Sequence, residues 1–350
     1  MYIYSSYLFV MKKPLLTLLF FTSFISVSLA QDPNFSQFFA SPLTLNPALT
    51  GKFDGTFRLA GNYRNQWPSI NNAFVTKTGS ADFHLLSNNL PDIDRWGFGV
   101  LFLNDKNGDG AIATNQFSLS TAYHKGLDEN GYHQIGVGFQ GSYTDKRLDV
   151  NKLKFEDQLT ALGFTGQTSE IFPQENLQIN YLDINAGILY NGSTNGYNNV
   201  YFGASMYHIN RPKETFQGGQ YYLPSRTTLQ AGGRLPTSQY NAFHFSANYS
   251  FQNAATNLMF GGAYAMNLNY DEENPVNVYL GAWARFNNVT DALIPYVGLE
   301  FGDVQFGASY DVNISSLQPA SNMRGGIELS LIYIKKPVNK DLKKLNCPKF

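Results

Sequence analysis

Two groups of residues in this 350-residue chain have side chains that could bind a metal ion or take part in catalysis. The first is the segment 105–110, DKNGDG, which matches the opening of a calcium-binding loop, D-x-N-x-D-G. Position twelve of such a loop should be a bidentate Glu, but this chain has Gln116 there. Because the flanking residues have the pattern of strands and not of helices, we expect a hairpin turn here.

The second group is formed by the five histidines, which are spread along the chain without metal-ligand spacing. They are His84, His124, His133, His208 and His244. Most of them fall on the polar faces of predicted strands, so we expect them to face a polar barrel interior. No G-x-S-x-G motif occurs, and no Ser/His/Asp or paired-carboxylate arrangement stands out. We therefore predict a protein without enzymatic activity, bound metal or cofactor.

Apolar and polar residues alternate over most of the chain from Gly55 onward, as they do in strands that have two different faces. In residues 243–251 the odd positions are Phe, Phe, Ala, Tyr and Phe, and the even positions are His, Ser, Asn and Ser. Turn sequences such as Asn-Gly and Gly-Asp separate the alternating stretches. The pattern predicts about fourteen strands, within a range of roughly twelve to sixteen, between residues 55 and 335.

Strand length and composition favour an all-β transmembrane antiparallel barrel. Many predicted strands have ten or more residues, longer than the about 5–6 that are typical of soluble sheets. One face is apolar with aromatic residues, and the other is rich in Gly, Ser, Asn and Gln, as in outer-membrane barrels. The alternative is a soluble β protein such as an adhesin, for which we would expect shorter strands or a fixed repeat. The formal net charge of −1 gives no indication of a nucleic-acid partner; outer-membrane lipid is the expected surroundings.

The N-terminus has the features of a secretory signal peptide. Lys12 and Lys13 precede an apolar stretch of signal-peptide length, and Ser28 and Ala30 are the small residues that a cleavage site requires. We predict cleavage after Ala30, with Met11 as a second candidate start. The predicted organisation is a signal peptide at 1–30, an N-terminal segment at 31–54, a barrel at 55–335 and a basic tail at 336–350.

The N-terminal segment 31–54 is apolar and aromatic but does not alternate. In water each exposed ring would forgo roughly 1.5–3 kcal/mol of burial free energy. We therefore predict that Phe35–Leu49 packs as a plug inside the periplasmic mouth of the barrel, with Pro47 stiffening its turn. An even number of strands puts both termini in the periplasm and the long connections, near 148–179 and 211–224, outside.

The basic tail 336–350 is the second non-alternating segment. It is either solvated or a docking segment for a periplasmic partner. Its Cys347 is the single cysteine of the chain, which excludes an internal disulfide. This thiol is either a bystander or an intermolecular contact.

Six short sequences form a specific combination that covers essentially the whole mature chain: QDPNFSQFF, LNPALTG, YRNQWPSI, GASYDVNISSL, GGIELSLIY and CPKF. Together they resemble the PorP/SprF family of outer-membrane proteins of the type IX secretion system. The resemblance implies a closed barrel in the outer membrane that works with the secretion and gliding machinery, and it brings no catalytic residue. The positions that we expect to contact the plug or a partner are Asn46, Pro47, Ala48, Arg64, Trp67 and Cys347.

The resemblance also implies two kinds of partner. One is a secreted cargo protein with a C-terminal sorting domain, such as a gliding-related adhesin, which the barrel would help to secrete or hold at the cell surface. The other comprises periplasmic or lipoprotein components of the secretion machinery. The alternative function is that of a FadL-like outer-membrane channel for hydrophobic or small solutes, because an Asn-Pro-Ala also occurs in the N-terminal plug of those transporters.

Overall fold

The computed structural model describes residues 32–336, except for 71–72, 87–88, 167, 173–175, 217–218, 271–274, 288–290, 316–320 and 322. The predicted signal peptide and Met11 lie outside the described residues. So does nearly all of the predicted tail, including Cys347.

A closed barrel of fourteen antiparallel strands dominates the structure, as the sequence predicted. Successive strands pair with one another, and β1 closes the barrel against β14. The strands are β1 Phe57–Gln66, β2 Phe74–Leu85, β3 Arg95–Asn107, β4 Ile112–Gly126, β5 Gln134–Asp149, β6 Asn176–Gly192, β7 Asn199–Tyr207, β8 Arg226–Pro236, β9 Ala242–Gln252, β10 Ala255–Asn267, β11 Val276–Phe286, β12 Ala292–Phe301, β13 Val304–Asn313 and β14 Arg324–Lys335. A small separate hairpin, Leu159–Thr160 with Gly163–Phe164, lies in the connection between β5 and β6.

The barrel wall has a polar inner face and an apolar outer face. In β9, for example, His244 and Asn248 point inward and are buried, whereas Phe243 and Phe251 point outward and are exposed. Large exposed apolar side chains occur on the outer face of every strand of the barrel. This distribution is favourable in a membrane, because the apolar outer face contacts lipid and the polar residues face the barrel interior.

The two mouths of the barrel differ. At the terminal mouth β1 begins and β14 ends. There the N–H of Thr56 donates to the carbonyl of Lys335 at 2.7 Å. The opposite loop mouth carries the two longest connections, 150–175 and 208–225, in agreement with the sequence prediction. Since outer-membrane barrels keep short turns on the periplasmic side, we expect the terminal mouth to face the periplasm.

Residues Pro33–Phe53, here named the luminal segment, run lengthwise between the inward faces of the strands. The segment contains three short helical turns, Phe38–Ala40, Pro42–Leu45 and Pro47–Leu49. Proline is favourable at the first position of a helical turn, because an N–H at that position would have no partner within the turn and its absence costs nothing. In the described part of the chain, no helix is both long enough and apolar enough to cross a membrane.

The calcium-like segment 105–110 forms a hairpin turn between β3 and β4, as expected. Asn107 ends β3 and pairs with Ile112 at the start of β4. The N–H of Ala111 donates to the carbonyl of Gly108 at 3.0 Å, which closes the turn. Asp105 lies within β3, where it accepts a hydrogen bond from Thr76.

Candidate functional site inside the barrel

The first anchor of the luminal segment is a buried ion-pair cluster in the half of the barrel near the loop mouth. Arg64 of β1 contacts Asp311 and Glu328, with 2.8 Å between nitrogen and oxygen in each pair. Arg285 of β11 adds a second guanidinium 2.9 Å from Asp311. Two formal positive charges therefore balance two negative ones, which is the condition under which charged groups can be buried without a prohibitive loss of hydration.

Ser36 and Gln37 of the luminal segment complete this cluster. Their backbone N–H groups donate to the two carboxylate oxygens of Glu328, each at 2.8 Å. The hydroxyl of Ser36 donates to Asp311 at 2.8 Å, and the hydroxyl of Ser330 donates to the side-chain carbonyl of Gln37 at 2.6 Å. Glu328 thus accepts hydrogen bonds from the segment and from the wall at once.

The cluster lies at the seam where the barrel closes. Arg64 and Glu328 are direct register partners across the β1–β14 pair. Asp311 belongs to β13, the next strand along the wall. The start of the luminal segment is therefore attached where the first and last strands of the barrel meet.

Asn46-Pro47-Ala48 forms a tight turn in the middle of the barrel. The side-chain amide of Asn46 donates to the backbone carbonyls of Ile188 at 3.0 Å and Ala204 at 3.3 Å. Its side-chain carbonyl accepts the N–H of Ala48 at 2.8 Å and so caps the helical turn that begins at Pro47. A single Asn thereby joins the segment to β6 and β7 and also shapes the turn itself.

Glycines form the wall that faces this turn. Gly138 of β5 and Gly187 of β6 are register partners, and both lie on the inner face. A Cβ atom on Gly187 would lie 1.9 Å from the side-chain carbonyl oxygen of Asn46, and one on Gly138 would lie 2.4 Å from the nitrogen of Ala48. Any side chain at these two positions would collide with the turn, so glycine permits the close approach of the two backbones.

The second anchor lies near the terminal mouth. Arg58 of β1 makes a bidentate contact with Asp82 of β2, with distances of 2.9 Å and 2.7 Å. The N–H of Gly51 donates to the same carboxylate at 2.8 Å, and Arg58 also donates to the carbonyl of Leu49 at 3.0 Å. Bidentate arginine–carboxylate pairs fix geometry as well as charge, so this pair holds the end of the segment in one position.

Two of the five histidines contact the luminal segment at this anchor. Nε2 of His84 lies 2.7 Å from the carbonyl oxygen of Gly51, and Nε2 of His124 lies 3.0 Å from that of Thr50. The ring of Phe53 stacks on His84 with 4.7 Å between centroids. Among the described residues, no group of three or more His, Cys, Asp or Glu could hold a metal ion.

Aromatic rings fill the interior between the two anchors. Phe39 of the segment lies 4.8 Å from Trp283 and 5.5 Å from Tyr296 between ring centroids, and Phe38 packs edge-on against Phe39 at 5.6 Å. Offset and edge-on pairs of this kind are the favourable arrangements of aromatic rings. Phe39 thus packs against β11 and β12.

The residues singled out from the sequence lie in separate places. Asn46, Pro47 and Ala48 lie together against β5, β6 and β7, whereas Arg64 belongs to the cluster at the seam. Trp67 lies at the rim of the loop mouth, where its ring packs against Phe74 at 5.4 Å. Cys347 lies outside the described residues. The structure therefore does not bring these six positions into one site.

The described part of Phe35–Leu49 reaches farther along the barrel than the mouth at which the sequence analysis expected it. The segment does not sit at the periplasmic mouth alone, because Phe35–Gln37 lie beside Glu328 and Asp311 in the half near the loop mouth. The sequence shows that these rings need burial, but it does not show which strand residues they meet. The inward glycines Gly138 and Gly187 were the available signal, since a position without a side chain on the inner face allows a luminal segment to approach the wall.

The family model described as "Type IX secretion system membrane protein PorP/SprF" matches residues 27–333. The chain belongs to the PorP/SprF family. The resemblance seen in the sequence is thereby confirmed, and the fourteen-stranded barrel places this PorP/SprF protein in the outer membrane. A sequence comparison with curated proteins gave no match.

Solved structures that are similar to this PorP/SprF protein include the following three, all at low sequence identity. A Pseudomonas aeruginosa FadL homologue is 10% identical, with 82% of this chain and 92% of that chain covered and a TM-score of 0.44. The TodX deltaS2S3 mutant monoaromatic hydrocarbon channel is 8% identical, with coverages of 85% and 94% and a TM-score of 0.48. The CymD monoaromatic hydrocarbon channel is 11% identical, with coverages of 86% and 94% and a TM-score of 0.46.

Proposed function

We propose that this PorP/SprF protein is a non-enzymatic component of the type IX secretion system that helps to secrete a cargo protein or holds it at the cell surface. The cargo carries a C-terminal sorting domain and is of the adhesin type used in gliding. The observation that carries the proposal is the occupied interior of a barrel whose family serves secretion. A barrel filled by its own N-terminal segment suits a docking component better than a conduit.

The two anchors support this assignment. If the luminal segment left the wall, Ser36 and Gln37 would lose their hydrogen bonds with Glu328 and Asp311 at the seam. At the other anchor, Gly51 would lose its hydrogen bond with Asp82. Removing the partners of buried charges costs several kcal/mol, of order 3–5. We therefore propose that the luminal segment acts as a permanent plug and that cargo is engaged at the mouths of the barrel.

The two mouths would have different partners. The long connections 150–175 and 208–225 at the loop mouth face the cell surface, and we propose that they meet the cargo. The terminal mouth faces the periplasm, and we propose that periplasmic or lipoprotein components of the machinery dock there. The basic tail and Cys347 belong to that side as candidate contacts.

Gene deletion followed by quantitative analysis of the surface proteome tests the proposal. We expect the loss of at least one surface protein with a C-terminal sorting domain, and its return when the wild-type gene is supplied. Supplying a variant that lacks the small hairpin 159–164 at the loop mouth separates cargo engagement from barrel assembly. An unchanged surface proteome in the deletion strain would contradict the proposal.

Flux into liposomes tests the alternative of a FadL-like channel. Purified protein is reconstituted, and the uptake of small solutes and of hydrophobic ligands is measured against empty liposomes. A docking component with a filled lumen should give no flux above the empty control. Substrate-specific flux through the wild-type protein would favour the channel.

A further inference from the structure

Strand β6 extends well beyond its neighbour β7 at the loop mouth. On one side, β6 pairs with β5 along almost its whole length, from Asn176 to Asn191. On the other side its pairing with β7 starts only at Ala186, which lies opposite Met206. Residues 176–185 of β6 therefore form an edge of the sheet that no barrel strand covers.

A turn in the backbone ends β7 and leaves this edge open. His208 follows the last residue of β7 with a positive φ of 58°, a conformation that takes the chain out of the sheet. Its ring nitrogen lies 2.8 Å from the carboxylate of Asp183 on β6. The side chain of Asn210 then covers the nearest part of the edge, accepting the N–H of Ile184 at 3.0 Å and donating to the carbonyl of Leu182 at 2.8 Å.

Beyond Leu182 the edge has free backbone groups. In an antiparallel strand, the N–H and C=O of alternate residues point to the same side. Ile184 points both groups to the open side, toward Asn210 and Ile209. By the same alternation, Asn180 and Gln178 point theirs to the open side as well. In the described part of the chain, no hydrogen bond reaches these four backbone groups.

This free edge lies beyond the apolar band of the barrel. One outward-facing row across β4, β5 and β6 is formed by the exposed apolar side chains of Phe117, Tyr143 and Leu182. The next outward row toward the loop mouth is polar and consists of Asn115, Asp145 and Asn180. Aromatic residues followed by polar ones mark the boundary of the bilayer, so the free edge faces water on the cell-surface side.

We propose that the β6 edge at residues 178–182 binds an extended segment of a partner protein by strand addition. Exposed edges are templates for pairing, and natural proteins usually protect them with Pro, Lys or a short strand. This edge has Gln178 and Asn180 instead. An extended peptide backbone is the ligand that matches a row of alternating donors and acceptors, as in other domains that recognise peptides by adding a strand.

The connection that leads into β6 offers apolar contacts to such a segment. Its exposed apolar side chains are Leu159, Leu162, Phe164 and Ile171. Leu162 and Ile171 are almost completely exposed, at 101% and 92%. Side chains of this kind could supply the apolar part of the recognition while the edge supplies the hydrogen bonds. That the partner is a secreted cargo protein rests on the proposed function, whereas the chemistry of strand addition does not.

Photo-crosslinking in whole cells that make the protein tests the inference. The photoreactive residue benzoylphenylalanine is placed at Asn180 in one variant and at Asn115 in its matched control. Both positions face outward in the same row, but Asn115 lies in β4, which is paired on both sides. We expect a protein adduct at position 180 with about tenfold the yield at 115, because strand addition needs a free edge. Equal yields, or no adduct at 180, would overturn the inference.

Two further measurements test whether the partner binds by strand addition. Gln178→Pro removes a backbone donor that points to the open side, so it costs no backbone hydrogen bond with β5, and edge positions tolerate Pro. The side-chain hydrogen bond from Gln178 to Asp145 of β5 is lost in Gln178→Pro and in Gln178→Ala alike, so the comparison of the two isolates the backbone donor. We expect this variant to lower the adduct about tenfold and Gln178→Ala to leave it unchanged, with the barrel shown to be folded by its heat-modifiable migration. Mass spectrometry of the adduct must also place the crosslink in an extended segment of the partner. An adduct that persists in folded Gln178→Pro, or that maps to a helix of the partner, overturns the inference.

The same experiments separate this inference from the proposed function. An adduct with a protein that carries no sorting domain would support strand addition and contradict the proposed cargo role. Loss of a surface cargo protein on gene deletion without any adduct at position 180 would do the reverse.

Discussion

Glu328 accepts the backbone N–H groups of Ser36 and Gln37, each at 2.8 Å, and also contacts Arg64, so its carboxylate joins the luminal segment to the seam of the barrel. Glu328→Gln would leave Arg64 and Arg285 with Asp311 as their one carboxylate in this cluster. Breaking a buried charge network in this way costs about 3–5 kcal/mol. We expect a loss of that order in the free energy of unfolding, measured by denaturant titration in lipid vesicles, and faster hydrogen exchange at residues 36–37.

Asp303→Asn is the matched control for this change. Asp303 pairs with Lys335 at 3.6 Å near the terminal mouth, and both side chains are partly exposed. Exposed pairs contribute about 0–1 kcal/mol, so the control should unfold nearly as the wild type does. If Glu328→Gln lost no more stability than Asp303→Asn, the cluster would not be an anchor.

Asp94 gives a pH-dependent prediction for the turn at the terminal mouth. Burial alone would raise the pKa of Asp94, but hydrogen bonds from the Tyr123 hydroxyl at 2.6 Å, Lys125 at 2.9 Å and the Gly126 N–H at 2.9 Å outweigh it and place the pKa below its ordinary value of 3.8. A carboxylate with a lowered pKa stabilises the fold above its unfolded pKa and ceases to do so as the pH falls through the folded one.

We therefore expect the amide protection factor of Gly126 to be constant from neutral pH down to about 4 and to fall at lower pH, where Asp94 becomes protonated. Hydrogen exchange corrected for intrinsic rates measures it. Asp94→Asn should have a lower protection factor that does not change across this range. The same acid-induced loss in both proteins would exclude Asp94 as its cause.

The family resemblance identified Arg64, and its motifs contain Asp311 and Glu328, but the sequence did not show that these residues pair with Arg64. Glu328 and Arg285 are far from Arg64 in the chain and come together only through the register of the closed barrel. Alternation predicts that all of them face inward. It contains no information on which inward residues share a height on neighbouring strands, so the cluster could not be derived from the pattern.

At the scale of elements, the strands were predicted well because period-two alternation is a local property. The largest difference occurs near the loop mouth. There the alternation predicts a strand over 180–191, whereas β6 begins at Asn176. In 176–181 the apolar residues Leu177 and Ile179 face inward, whereas Leu182 and Ile184 face outward. The apolar residues thus change from the outer to the inner face at the edge of the apolar band. The alternation that defines the membrane-spanning part of the strand therefore stops at that point, although the strand continues.

The inward glycines of β5 and β6 give a prediction for the middle of the luminal segment. Gly187→Ala places a methyl group 1.9 Å from the side-chain oxygen of Asn46, so the Asn46–Ala48 turn must leave its position. Overpacking of this kind costs about 1–3 kcal/mol. We expect a loss of that order in the free energy of unfolding and faster hydrogen exchange at residues 46–50.

Gly141→Ala is the control for the glycine substitution. Gly141 faces outward on β5, and an added Cβ would meet no atom within 4 Å. This variant should keep the exchange rates of the wild type at residues 46–50. Similar exchange in the two variants would mean that the turn does not depend on the glycine wall.

At the scale of the whole molecule, the question is whether any aqueous path crosses the barrel. The luminal segment is bonded to the wall near both mouths and packed against β11 and β12 between them. The cavity beside Phe35, Arg226 and Asn248 has a volume of about 20 Å³, which is room for roughly one water molecule. A cavity of that size is not a route for solutes, and the sequence could not predict it because it depends on how the segment meets the wall.

Deletion of residues 35–49 should therefore open the barrel. We expect wild-type protein in planar bilayers to give no conductance above the bare membrane and the deletion variant to give stable, ohmic steps, because the polar inner face would then line a water-filled lumen. A variant without the hairpin 159–164 should stay closed, since that hairpin lies in a loop and not in the lumen. Heat-modifiable migration confirms that each barrel is folded. If the wild type conducted as well as the deletion variant, the segment would be no barrier, and a channel would become the better account of this protein.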